Sequence, residues 1–187
     1  AGSFTKVTVD SRDGAGEYTS LCLMGGLPVI SHSNSVSNEV VVSVSSSLTG
    51  LPASSWSSVT LDRNGTFGST SAIVLGDGRP GVAYAKSGSV MWAVPSAASR
   101  SSLLGDVWSV VMVALEGGTY MDGALVNGLP VLVSYSGVGR LSRATSEDGM
   151  SSWLTSELWE GHGAASQVAE VGDRELAVAT DYYWGSP

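Results

Sequence analysis

Four copies of one β-rich unit predict an all-β fold, a four-bladed or partial β-propeller. Three observations carry this. An aromatic-headed segment recurs at Phe4, Trp56, Trp108 and Trp153, with offsets of 52, 52 and 45. Each copy then has a Gly-rich turn and a second, Gly-x-Pro-headed segment, although the last copy lacks the proline. Ser, Thr, Gly and Val fill the chain while Lys appears only at positions 6 and 86, a composition of strands and turns with little helix.

The elements can be read in order. Phe4–Asp10, Trp56–Asp62, Trp108–Ala114 and Trp153–Trp159 read as strands whose leading aromatics wedge between adjacent sheets. Small-small-aliphatic steps follow, ending at Leu21, Ile73, Leu125 and Val168, the first three again spaced by 52. Pro28, Pro80 and Pro130 mark strand starts, where a missing N–H need not enter a ladder. Third strands follow at residues 40–45, 90–94 and 141–145, with partial alternation that suits at least one buried face. Leu21, Ile30, Val82, Leu125 and Leu132 are the expected core.

Four short strands every 45–52 residues match a propeller blade, at ~40–50 residues per blade in well-known repeats. One small sheet cannot bury two apolar faces alone, so neighbouring copies must cover each other. The units fall near residues 11–62, 63–114, 115–159 and 160–187 plus 1–10, within one domain. The last unit holds two strands, so residues 4–10, or a strand from a neighbouring chain, are expected to complete the sheet of residues 165–182.

These motifs resemble the tandem β-propeller repeats of secreted and surface proteins, most closely over Val7–Asp10, Tyr18–Leu21 and Gly26–Ser31. The segment Ser146–Trp153 is also similar to an Asp box of sialidase-like propellers, with Met150 where that motif has Gly and Ser152 where it has Thr. That resemblance implies a structural hairpin turn and no catalytic role.

Composition narrows the function. Acids outnumber bases 17 to 9, for a net charge of −8, which repels nucleic acid. No apolar run approaches the ~20 residues of a membrane span. The start Ala-Gly-Ser-Phe lacks an initiator Met, which fits a processed N-terminus or equally a trimmed chain, and the hydroxyl-rich surface fits an extracellular or cell-surface setting. Cys22, the lone cysteine, sits in an apolar string as a buried small hydrophobe. Asn64 heads an Asn-Gly-Thr sequon and is a candidate glycosylation site, although Asn-Gly as plain structure is a turn, the favoured reading.

No catalytic, metal or cofactor constellation is expected. The seven arginines are scattered, His32 and His162 lack ligand-spaced partners, and Glu147-Asp148 sit side by side on a turn. One set does recur: His32, Tyr84, Tyr135 and Tyr182 fall near the end of the second strand of each unit, as candidate ligand-binding rings for a sugar or peptide. Polar tips capping the core are the structural alternative. Together these features point to a non-catalytic extracellular interaction or assembly module that associates with other chains or itself through strand addition or blade faces. A carbohydrate-binding, lectin-like propeller whose partners are glycans is the alternative, and a glycosidase the third class.

Overall fold

The structure is a computed structural model that describes residues 5–105, 107–114, 117–136, 139–160, 165–171 and 174–180. Three antiparallel sheets of four strands follow one another along the chain, each in sequential order. The first holds β1 (Ala15–Met24), β2 (Leu27–Asn34), β3 (Glu39–Ser45) and β4 (Trp56–Arg63). The second holds β5 (Phe67–Val74), β6 (Pro80–Lys86), β7 (Ser89–Pro95) and β8 (Trp108–Ala114), with a one-turn helix α1 (Arg100–Leu104) in the link before β8. The third holds β9 (Tyr120–Val126), β10 (Leu129–Ser136), β11 (Arg140–Ser146) and β12 (Trp153–Glu160). Two strands, β13 (Ala165–Val171) and β14 (Arg174–Thr180), end the described chain.

The sheets pack as blades. Strand β1 lies against β5, β5 against β9 and β9 against β13, so the first strand of each blade is the inner one. Alternation along the strands supplies both faces of each blade. From the second blade, Ala72, Val82, Tyr84 and Ala93 meet Met24, Val29, Val40, Val42 and Val44 of the first. The alternate set Ile73, Ala83, Trp92 and Val94 meets Met121, Leu132 and Ala144 of the third. Val131, Val133 and Leu141 then face Val168 of the fourth.

Polar side chains also stitch the inner strands. Thr70 Oγ1 donates to the Tyr18 carbonyl at 2.6 Å, and the Ala72 N–H donates to Ser20 Oγ at 2.9 Å. Asp122 on β9 accepts from Ser71 Oγ of the second blade at 3.4 Å and from the Val168 N–H of the fourth at 3.1 Å. In each full blade the outermost pair shifts register at the same place, between Val40 and Val41, Val90 and Met91, and Leu141 and Ser142. Such bulges raise local twist and turn the outer strand.

The aromatic-headed segments of the second, third and fourth copies are β4, β8 and β12, the outermost strand of each full blade. Trp108 packs on the core between the first two blades, and Trp153 meets Trp92 edge-on at 5.4 Å between the second and third. Trp56 instead donates from Nε1 to the Gly50 carbonyl in its own blade at 2.8 Å. Of the expected core residues, Val82 and Leu132 are buried, Leu125 packs against the core, and Leu21 is 61% exposed. Leu21 lies on the face of blade one turned away from blade two, whose core takes Cys22 and Met24, the residues that alternate with Leu21 and Leu23.

The N-terminal segment differs from its expected strand. Phe4 lies outside the described residues, and residues 5–10 carry no strand. Asp10 is tied to Arg12 at 2.6 Å and lies 3.5 Å from His32, and Arg12 reaches Glu39 at 2.8 Å. These contacts hold the segment on blade one, where the chain enters β1. Within the described chain β13 and β14 therefore pair only with each other.

Candidate functional site

The recurrent second-strand residues do not form an exposed set. His32 on β2 is 2% exposed and receives the Gly16 N–H on Nδ1 at 3.3 Å. Its buried Nε2 lies 3.5 Å from Asp10 Oδ2 and has no hydrogen-bond partner among the described residues. Tyr84, expected as a ligand contact, is fully buried on β6. Its hydroxyl donates to Asp62 Oδ2 at 2.9 Å, and burial, then Asp62, pushes its pKa well above the usual phenol value. Tyr135 on β10 is 8% exposed and lies opposite Tyr120 of β9. Tyr182 lies outside the described residues. A second strand is flanked by strands on both sides, and Tyr84 enters the core between the first two blades, whereas His32 is enclosed within blade one beside the Gly16 N–H and Asp10. Asn64 sits in the exposed turn between β4 and β5 at φ 60°, in the left-handed conformation its turn reading requires.

Two open concavities of one construction lie at the rim carrying the β1–β2, β5–β6 and β9–β10 turns, and another, bordered by Ser37, Asn38, Asn64 and Ser87, lies among the β2–β3, β4–β5 and β6–β7 turns. Between the second and third blades a cleft of about 230 Å³ is bordered by three segments. Leu75, Asp77 and Arg79 come from the β5–β6 turn, Leu129 and Pro130 from the start of β10, and Glu147 and Asp148 from the β11–β12 link. Between the first and second blades a cleft of about 320 Å³ has the same construction. Met24 and Leu27 flank the first inner turn, Gly78 belongs to the second, and Ala98, Ser99 and Arg100 come from the β7–β8 link.

Hydrogen bonding fixes the walls of the cleft between the second and third blades. Arg79 Nε donates to Asp77 Oδ2 at 2.6 Å, and its Nη1 reaches the Pro95 carbonyl at 3.3 Å. Burial works to raise the Asp77 pKa, but the Arg79 backbone N–H and guanidinium outweigh it and hold the carboxyl below its ordinary range. Asp148 Oδ1 accepts the N–H groups of Met150, Ser151 and Ser152 at 2.9, 2.9 and 3.1 Å, and Oδ2 accepts Ser151 Oγ at 2.7 Å. These donors, the Met150 N–H foremost, hold that carboxyl far below the usual value. Trp92 Nε1 donates to the Gly149 carbonyl at 3.2 Å and anchors the link on blade two.

Glu147 is exposed at the mouth, and among the described residues no side chain bonds its carboxylate. The cleft thus offers a carboxylate acceptor beside the aliphatic surface of Leu75, Leu129 and Pro130. Sequence reasoning passed over Asp77, Arg79, Arg100 and Glu147 because each stands in or beside a turn. The usable signal was positional: in-register copies place those turns on one rim. Among the described residues no three His, Cys, Asp or Glu side chains converge as metal ligands.

No family model matches the chain, and no curated protein matches it. Its fold is similar to a solved structure described as a bifunctional GH43-CE protein of Bacteroides eggerthii, at a TM-score of 0.54 and 13% identity. GH43 is a family of five-bladed β-propellers. This chain is a β-propeller. The match takes in 90% of this propeller and 23% of the solved chain, so the propeller spans about a quarter of that protein's length. The likeness overturns the expectation of a non-catalytic interaction and assembly module, because the fold neighbour is a GH43-CE protein. No helix of the described propeller is long and apolar enough to cross a membrane.

Proposed function

We propose that this propeller is an extracellular carbohydrate-binding protein that takes sugar rings in the clefts between successive blades. The observation that carries this is the recurrence of one cleft design at two adjacent interfaces, built from an inner turn of each blade and the outer link of the second. A sugar ring presents an apolar face and a rim of hydroxyls. An aliphatic wall beside one unengaged carboxylate matches that pattern, as ligand sites generally join apolar lining to a few placed polar groups. The volumes lie near or below the ~300–1,000 Å³ of sites for drug-sized ligands, which suits one ring rather than a long enclosed chain.

The likeness to a glycoside hydrolase–esterase propeller supports a carbohydrate ligand. Binding rather than hydrolysis is favoured by the acids themselves. A glycosidase needs one carboxyl raised enough to donate a proton. Asp77 and Asp148 are both held below the ordinary carboxyl range by donors within their own turns, the opposite of the shift a proton donor needs.

The test is titration of a panel of neutral oligosaccharides against the parent, Glu147→Gln and Leu129→Asp. The parent should bind at least one neutral sugar, and Glu147→Gln should weaken it by roughly tenfold or more, as expected for a hydrogen bond to a charged group. A parent that binds no sugar in the panel, or variants that bind like the parent, would sink the proposal.

A further inference from the structure

The two clefts share a construction and differ in charge. In the cleft between the second and third blades, Arg79 is neutralised by Asp77, and Glu147 and Asp148 add further negative charge. In the cleft between the first and second blades, the one charged lining residue is Arg100, and no carboxylate borders it. Arg100 forms no ion pair among the described residues. Its Nη2 donates to Ser57 Oγ on β4, and its Nε is buried with no hydrogen-bond partner. In a chain of net charge −8, an arginine without a carboxylate beside an open cleft is an exception to the local electrostatics.

The buried Nε is closed to the cleft, so a ligand there meets the guanidinium through its terminal N–H groups, and a guanidinium is suited to a carboxylate through charge-assisted N–H···O bonds. The surroundings say what else the ligand must carry. Met24, Leu27 and Ala98 give the cleft an apolar wall, and the Gly78 turn leaves its edge open. A bare anion would leave that wall unused. A ring with a carboxylate on one side uses both.

Resting on the carbohydrate reading above, we propose that the cleft between the first and second blades is an acidic-sugar site, in which Arg100 receives the carboxylate of a uronic acid residue. The neighbouring cleft, with Glu147 at its mouth, takes neutral sugars and repels acidic ones. One rim would then read a chain in which uronic and neutral residues both occur.

The experiment follows amide NMR shifts of the full chain on titration with methyl glucuronide, methyl glucoside and acetate. Methyl glucuronide should move the Gly25, Gly78 and Ser99 amides and bind at least tenfold more tightly there than methyl glucoside. Arg100→Gln should abolish the preference. Ser57→Ala, which removes the same inter-blade hydrogen bond but keeps the guanidinium, should retain it, so a purely structural role for Arg100 is separable from ligand recognition. Ala98→Trp should block the cleft while leaving Arg100 in place. The inference is overturned if Arg100→Gln keeps the preference, if acetate binds as tightly as the glucuronide, or if the shifts fall elsewhere. Methyl glucoside bound at either cleft without any glucuronide preference ends the inference and leaves the carbohydrate reading standing. Neither sugar bound anywhere ends both.

Discussion

Asp10 shows how one side chain can fix the course of a whole segment. Its carboxylate takes the Arg12 backbone N–H at 3.0 Å and the guanidinium at 2.6 Å, and it lies beside buried His32. The Arg12 hydrogen bond, aided by its charge and by His32 and opposed by burial, holds the Asp10 pKa below its ordinary value of 3.8. A depressed folded pKa stabilises the fold above the unfolded value, and that stability is lost as pH falls through the folded one. Urea midpoints measured from pH 6 down to pH 2 should therefore fall less steeply for Asp10→Asn than for the parent. Superimposable pH profiles would show that the contact contributes nothing. At this scale the sequence disclosed the recurrent positions of His32, Tyr84 and Tyr135 but not their surroundings. Spacing fixes where a residue stands in a blade, whereas exposure depends on which sheet covers it.

At the scale of the strand, β6 and β7 show how tightly the blades interlock. A Cβ at Gly81 would overlap the indole of Trp92, which is fully buried and stacks edge-on against Trp153 of the next blade. The missing side chain on β6 makes room for the largest one on β7. Gly81→Ala should lower stability by about 1–3 kcal/mol, the usual cost of overpacking. The check is a urea midpoint at unchanged slope; an unshifted midpoint would mean that Trp92 has a second berth. Strands were the most legible level, because Gly-x-Pro starts and aromatic heads are local signals. The exception was residues 5–10, whose apolar alternation resembles β4 but which carry no strand and end at Asp10, held beside Arg12 and His32.

Across the whole molecule, the blades form a series in which each touches its neighbours, and stability in such a series is roughly a sum of units and interfaces. Asp122 spans three of them, receiving Ser71 on one side and the Val168 N–H on the other. Asp122→Ala should release the β13–β14 hairpin by about 1.5–3 kcal/mol, the range for hydrogen bonds to charged groups. Hydrogen exchange should then speed up at the described amides of β13 and β14 while β1–β4 stay protected; equal acceleration across all blades would show a single cooperative unit instead. The clefts were least legible at this level, since each is assembled from three segments of two blades.

The link before each outermost strand has a further consequence. The inner strands are bound to one another by register-specific bonds such as Thr70 to Tyr18 and Ala72 to Ser20, so their lengths are constrained. The outer links carry no such bonds between inner strands, and they differ freely: one holds α1 and Arg100, another the Asp148 turn and Glu147. Variation is thus tolerated in the segment that borders each cleft. A scaffold partitioned this way is evolvable, because a new rim chemistry can be acquired one blade at a time without renegotiating the packing that holds the blades together.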